Sequence, residues 1–219
     1  KGFLKDFRGI LQTDGHVAYD DLNERIVRAG CLTHLRRGFV EALKLAPENP
    51  LPAEIVERLK PLYAVEQAAR AQGLDAAARQ ALRQEKSVPL MAALHTRIQE
   101  IRRQIAPGGK LAQACDYALR QWNRVSVYLE QGQVEVDTNW CEGGMRPLAL
   151  GRKNCLHVGS PQAGPKVAAI ASIVETCRRL RINLRDYLSD VLPRLGDWPI
   201  TRVAELTPTA WQSAHQKKS

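Results

Sequence analysis

The sequence predicts an α/β fold that carries a large all-helical insertion and ends in a short helical element. Three observations predict it. Two short β-type runs stand near the N-terminus, Ile10-Leu11-Gln12-Thr13 and IVRAGCL at residues 26–32, each followed by a turn or helical phrase. That strand–helix–strand–helix order is the grammar of an α/β layer. After Pro47, Pro50 and Pro52 the texture changes to helical phrases that run to about residue 129. A third helical stretch, residues 163–195, closes the folded part.

Taken in order, residues 1–7 read as the end of a helix closed by Gly9, and residues 10–13 as a strand ending at Asp14-Gly15, where glycine permits a sharp turn. Residues 19–25 read as a helix, 26–32 as a second strand and 36–45 as the helix leaving it. In the insertion, Ile55, Leu59 and Leu62 share one helical face. Leu90, Leu94, Ile98, Ile101 and Ile105 form a stripe at helical spacing, with Pro89 near its first turn and Pro107-Gly108-Gly109 stopping it. Leu111, Cys115, Ala118, Trp122, Val125 and Leu129 define the next helix, and Gln131-Gly132-Gln133 a turn. Residues 163–180 and 184–195 read as helices. Residues 199–219 read as an extended tail with Trp211 as an anchor, and residues 216–219 as disordered.

Composition allows a buried core: of 219 residues, 44% are hydrophobic and 25% charged. Thirty-two Lys and Arg against 23 Asp and Glu give a net charge of +9, and a pI near 9.6. A basic surplus of this size fits an anionic partner such as nucleic acid. Cys31, Cys115, Cys141, Cys155 and Cys177 are scattered and odd in number, which argues against a disulfide framework and for a reducing cytoplasm. No run of about 18 apolar residues exists, so no membrane span is expected. The chain opens in the phrase KGFLKDF without an initiator Met and is expected to be a fragment whose start lies upstream.

Residues 136–160, VDTNWCEGGMRPLALGRKNCLHVGS, hold the chemistry-bearing pattern. Asp137 and Glu142 precede Arg146, Arg152 and Lys153. A carboxylate can hold a divalent ion while adjacent cations hold phosphates. With Asp14 at a strand end, this suggests phosphodiester chemistry on DNA. Asp14 reads equally as an Asx-turn residue before glycine. Glu142 reads equally as a solvated acid favoured by a helix N-terminus, and Asp137 as a rival ligand or an N-cap. Arg36 and Arg37 form a second candidate line of phosphate contacts. Cys31-x-x-His34 is half of a zinc pattern with no second pair at a fitting distance.

TDGHVAYD, CLTHLRRGF, LYAVE, VDTN followed by Glu142, MRPLALGRKN and GS occur in this order. In these motifs the chain resembles transposases of the insertion sequence 66 family, over about residues 7–211. The resemblance implies the C-terminal part of an RNase H-like catalytic domain over residues 1–171, a partial RNase H-like fold with the helical insertion at about 52–129. A C-terminal element over 172–211 and a tail at 212–219 follow. It implies an Asp-Asp-Glu metal site binding Mg²⁺, with Mn²⁺ able to substitute. Asp14 then corresponds to the second Asp and Glu142 to the Glu. The first Asp and a zinc-binding element are expected before Lys1. Arg36, Arg37, Arg146, Arg152 and Lys153 become DNA contacts, and His34, Asp137 and Asn139 further site residues. The activity implied is cleavage of element ends and strand transfer into target DNA. The setting implied is the nucleoid of a bacterial cytoplasm, with a homo-oligomer and accessory proteins of the same element as partners. Gly143-Gly144 beside Glu142 weakens a helix by roughly 1 kcal/mol per glycine relative to Ala. That leaves open a non-catalytic DNA-binding or assembly fragment, or a decayed remnant. A nuclease or resolvase that does not join ends would share the metal chemistry.

Overall fold

A computed structural model describes residues 4–22, 24–154 and 159–216, and the side chains of all of these except 152–154 and 216. The chain forms two compact units, Lys1–Trp140 and Cys141–Ser219. It is mostly helical, with a two-stranded parallel sheet among the described residues.

In the first unit β1 (Gly9–Gln12) pairs in parallel with β2 (Ile26–Ala29), Gly9 opposite Ile26 and Gln12 opposite Ala29. Among the described residues of the crossover, 13–22 and 24–25, the chain makes a 3₁₀ turn, Val17–Tyr19, where a helix over 19–25 was predicted. The reason is tertiary: Asp20 is ion-paired to Arg28 of β2 at 2.6 Å and to Arg124 at 3.0 Å. Pinned to two elements, this stretch does not wind freely. The predicted helix over residues 1–7 is a turn where it is described, closed by Phe7 N–H donating to Leu4 O at 3.2 Å; residues 1–3 lie outside the described residues.

Five helices complete the unit. α1 (Leu32–Leu45) leaves β2 and buries Leu32, Leu35, Phe39 and Ala42. α2 (Pro50–Ala71) starts at an Asn49 side-chain cap with proline at its first position, where the missing N–H costs nothing. α3 (Ala76–Leu82) runs through a π-turn, Arg83–Ser87, into α4 (Val88–Gln104). α5 is Lys110–Glu130. The predicted stripe is realised: Leu94, Ile98 and Ile101 are buried and Leu90 and Ile105 half-buried. The stripes of α1, α2, α4 and α5 share one core that also takes in Ala29 of β2.

The second unit is helical. α6 (Asn139–Asn154) begins at the division between the units, and α7 (Ala163–Arg179) and α8 (Leu184–Leu195) follow. The glycine pair does not prevent α6; a Cβ on Gly144 would lie 2.6 Å from Arg179 Nη2 of α7, the end of a long side chain that can shift aside. The predicted extended tail is instead a 3₁₀ segment, Ile200–Leu206, and α9 (Pro208–Gln216). Pro199 and Pro208 sit at the entries of these turns, where proline starts helices instead of stopping them. Trp211 is an anchor: its indole N–H donates to Asp190 at 2.8 Å and its ring packs edge-on against Tyr187. Cys177, Tyr187, Val191 and Leu206 form the small core. Residues 217–219, part of the predicted disordered end, lie outside the described residues. Among the described residues no helix is long and apolar enough to cross a membrane.

Candidate active site

The chain leaves β1 at Thr13, whose N–H donates to Ala29 O at 2.9 Å. Asp14 then turns the chain: its Oδ1 accepts the His16 N–H at 3.1 Å, an Asx turn. His16 in turn accepts the Ala18 N–H through Nδ1 at 3.1 Å, capping the 3₁₀ turn. The ring of Tyr117, from α5, lies over Gly15 so closely that a Cβ there would be 2.7 Å from Cε2. Burial raises the Tyr117 hydroxyl above its ordinary value, with the Asp14 charge adding to the rise.

This turn is one wall of an open cleft of about 340 Å³. Asp14, His16 and Tyr117 face it together with His34 and Arg37 of α1 and Lys110 of α5. The half-buried Asp14 carboxylate and the exposed Glu41 therefore share a cleft with two cations and two imidazoles, and Glu41 pairs with Lys110 at 3.8 Å. The structure brings Asp14, His34 and Arg37 together. It separates Arg36 from Arg37, because adjacent helical positions point about 100° apart, and the Arg36 charge is felt instead at Tyr63.

The segment before α6 is strapped to the start of α1. Leu32 N–H donates to Val136 O at 3.0 Å, and Thr138 donates to the buried Cys31 sulfur from both its N–H and its hydroxyl. The Cys31 of the half zinc pattern is thus a hydrogen-bond acceptor under the strap, while His34 faces the cleft. Asp137 accepts the Thr33 hydroxyl at 3.1 Å and the Asn139 backbone and side-chain N–H groups at 3.0 and 2.8 Å. The Thr33 hydroxyl also meets the Tyr63 hydroxyl at 3.0 Å. Gln12, the last residue of β1, donates to Gly30 O and to Glu135 O, tying strand ends to strap.

An ion network fixes the strap from its other side. Glu66, 1% exposed, accepts from the fully buried Arg83 at 2.7 Å through each carboxylate oxygen. Arg83 also donates to the carbonyls of Tyr128 and Gln131 at 2.7 and 3.0 Å. Arg79 joins Glu66 to Glu135, and Arg70 reaches Glu135 as well. Burial opposes the charged form of Glu66, yet Arg83 and Arg79 hold its carboxyl below the ordinary range. Arg79 first, then Arg70, draws Glu135 down to about 2. None of these roles was foreseen in the sequence, although Tyr63 and Glu66 lie in the LYAVE motif.

Glu142 and Arg146 are exposed on α6 in the second unit. Arg152 and Lys153 lie in its last turn, and their side chains are outside the described residues, as is Cys155. Cys31, Cys115, Cys141 and Cys177 are free thiols. Asp14 offers the hard oxygen donor that a Mg²⁺-type ion prefers, so it fits as one ligand. Among the described residues no three His, Cys, Asp or Glu side chains gather to complete a site.

With this geometry in hand, comparison with known proteins is informative. The profile of the Transposase IS66 family matches residues 1–166, and that of the IS66 C-terminal element residues 172–209. Three uncharacterized proteins of Sinorhizobium fredii are similar. To y4jD the chain is 36% identical over 96% of its own length and 42% of the relative's. For y4hP the figures are 31%, 96% and 41%, and for y4qI 34%, 94% and 39%. The chain thus spans about two fifths of the length of these relatives. No solved structure matches it.

Proposed function

The chain belongs to the IS66 transposase family, and on that premise we propose that it supplies part of a metal-dependent DNA transposase with an RNase H-like catalytic domain. The whole protein would cleave the ends of a mobile element and join them to target DNA. The observation that carries the reading is the strand-end carboxylate of Asp14 in a cleft shared with Arg37 and Lys110. Asp14 and Glu142 would be ligands to Mg²⁺, with Mn²⁺ able to substitute. Metal ions bound there would supply an activated attacking oxygen and a stabilised leaving oxygen for phosphodiester exchange.

The chain's own groups do the rest. The His16 amide holds one Asp14 oxygen, fixing the carboxylate's direction. Arg37 and Lys110 meet phosphate oxygens in the cleft, and His34 and Tyr117 shape its rim. Arg36, Arg146, Arg152 and Lys153 extend the contact with the DNA backbone. Asp137 and Asn139 orient the strap that leads into α6. A homo-oligomer and accessory proteins of the same element are the further partners proposed.

The test is Mn²⁺ binding by the full-length protein, followed by electron paramagnetic resonance. Asp14→Ala and Glu142→Ala should each weaken it at least tenfold while DNA binding persists. Unchanged Mn²⁺ affinity in both variants would favour a non-catalytic DNA-binding or assembly role.

A further inference from the structure

A second cavity, of about 460 Å³, lies beside the strap and is not used by the chemistry proposed above. Its volume is within the ~300–1,000 Å³ of sites that enclose small ligands. Tyr63 and Trp140 contribute aromatic rings to its lining, and Asp137 and Asn139 contribute polar groups. Trp140, at the head of α6, is 71% exposed.

The charges around this cavity decide what it can hold. Glu66 is ion-paired to Arg79 and Arg83, and Glu135 to Arg70 and Arg79, so two carboxylates hold three guanidiniums. Asp137 brings the carboxylates level with the guanidiniums. With each of these guanidiniums already held by a carboxylate, the lining gives a phosphate little and suits a flat, uncharged ring with a polar edge. Tyr63 adds no charge: a phenol is neutral near pH 7, and burial pushes its hydroxyl up further, to about 12.

We propose that this cavity receives one unstacked nucleobase of DNA, stacked on Trp140, with its polar edge toward Asn139 and Asp137. The inference rests on the DNA-binding part of the proposed function and is independent of the metal chemistry. Extruding a base costs least where it is unpaired, so the site selects DNA carrying an unpaired nucleotide over continuous duplex.

The experiment uses the full-length protein and two probes, a duplex with a single-nucleotide bulge and the same duplex fully paired. Affinities are measured for the wild type, Trp140→Ala and Trp140→Phe, with circular dichroism confirming that each variant is folded. Trp140→Ala should weaken bulged-DNA binding by about fivefold to a hundredfold, the worth of one base–aromatic stack. Binding to paired duplex should not change, and Trp140→Phe should restore most of the loss. 5-Iododeoxyuridine in the bulge should photo-crosslink to Trp140 or Tyr63. Equal binding of bulged DNA by wild type and Trp140→Ala overturns the pocket and leaves the DNA reading standing. An equal loss on both probes, or crosslinks confined to other residues, also overturns it. If the wild type binds neither probe, the DNA-binding reading falls and the pocket with it.

Discussion

Arg83→Met tests whether a buried ion network holds the strap that leads into α6. The guanidinium is 0% exposed and donates to both oxygens of Glu66 and to the carbonyls of Tyr128 and Gln131. Methionine keeps much of the volume and none of the donors. Glu66, itself 1% exposed, would be left with Arg79, and two carbonyls would lose a donor. Removing one partner of a buried ion pair costs about 3–5 kcal/mol, and an orphaned buried carbonyl about 1 kcal/mol or more. The two overlap, so we expect about 4 kcal/mol, a large share of the ~5–15 kcal/mol of a whole domain. Urea unfolding followed by circular dichroism gives the number. The two units need not unfold together, so the curve is fitted with separate transitions. In Glu66→Leu/Arg83→Met most of the loss should return, because no buried carboxylate remains at residue 66. A single Arg83→Met variant within about 1 kcal/mol of wild type, the range of surface pairs, would refute the reasoning.

The same network makes stability depend on acid. Glu135 and Glu66 both have folded pKa values below the ordinary 4.5, Glu135 at about 2. Their contribution is therefore complete above about 4.5 and is lost as pH falls toward 2. Acid unfolding should steepen in that window, and Glu135→Gln should flatten it; an unaltered slope would remove Glu135 from the account. Gly15→Ala drives a Cβ to 2.7 Å from the Tyr117 ring, and overpacking of this kind costs about 1–3 kcal/mol. An unchanged melting temperature would show that the ring moves freely. Arg37→Ala should reduce the slope of log affinity for DNA against log salt by about one; a wild-type slope would exclude Arg37 from phosphate contact.

Repetitive apolar spacing was what the sequence made legible. The stripes of α2, α4 and α5 announce themselves because each of these helices buries one face, whereas on α7 Cys177 is buried and the apolar Val167, Ile170 and Val174 stay exposed; Asp14 could be placed after a strand from its Asp-Gly turn. Residues 19–25 and 199–219 were misread for opposite reasons. The first has helical composition but is held by the Asp20 ion pairs with Arg28 and Arg124. The second has prolines that look like breakers but stand at the entries of helical turns. The ion network was invisible because Glu66, Arg79, Arg83 and Glu135 each read as a solvated surface charge, and only the tertiary fold buries them together. For the cleft, Lys110 and Tyr117 arrive from α5, far along the chain, by helix packing that no local motif records.

The most direct test of the central claim is strand transfer by the full-length protein in Mg²⁺, using DNA that carries the element ends. Asp14→Asn and Glu142→Gln should each abolish transfer while salt-sensitive DNA binding remains. Wild-type transfer by either variant would contradict that carboxylate's role as a metal ligand, and transfer by both would contradict the account.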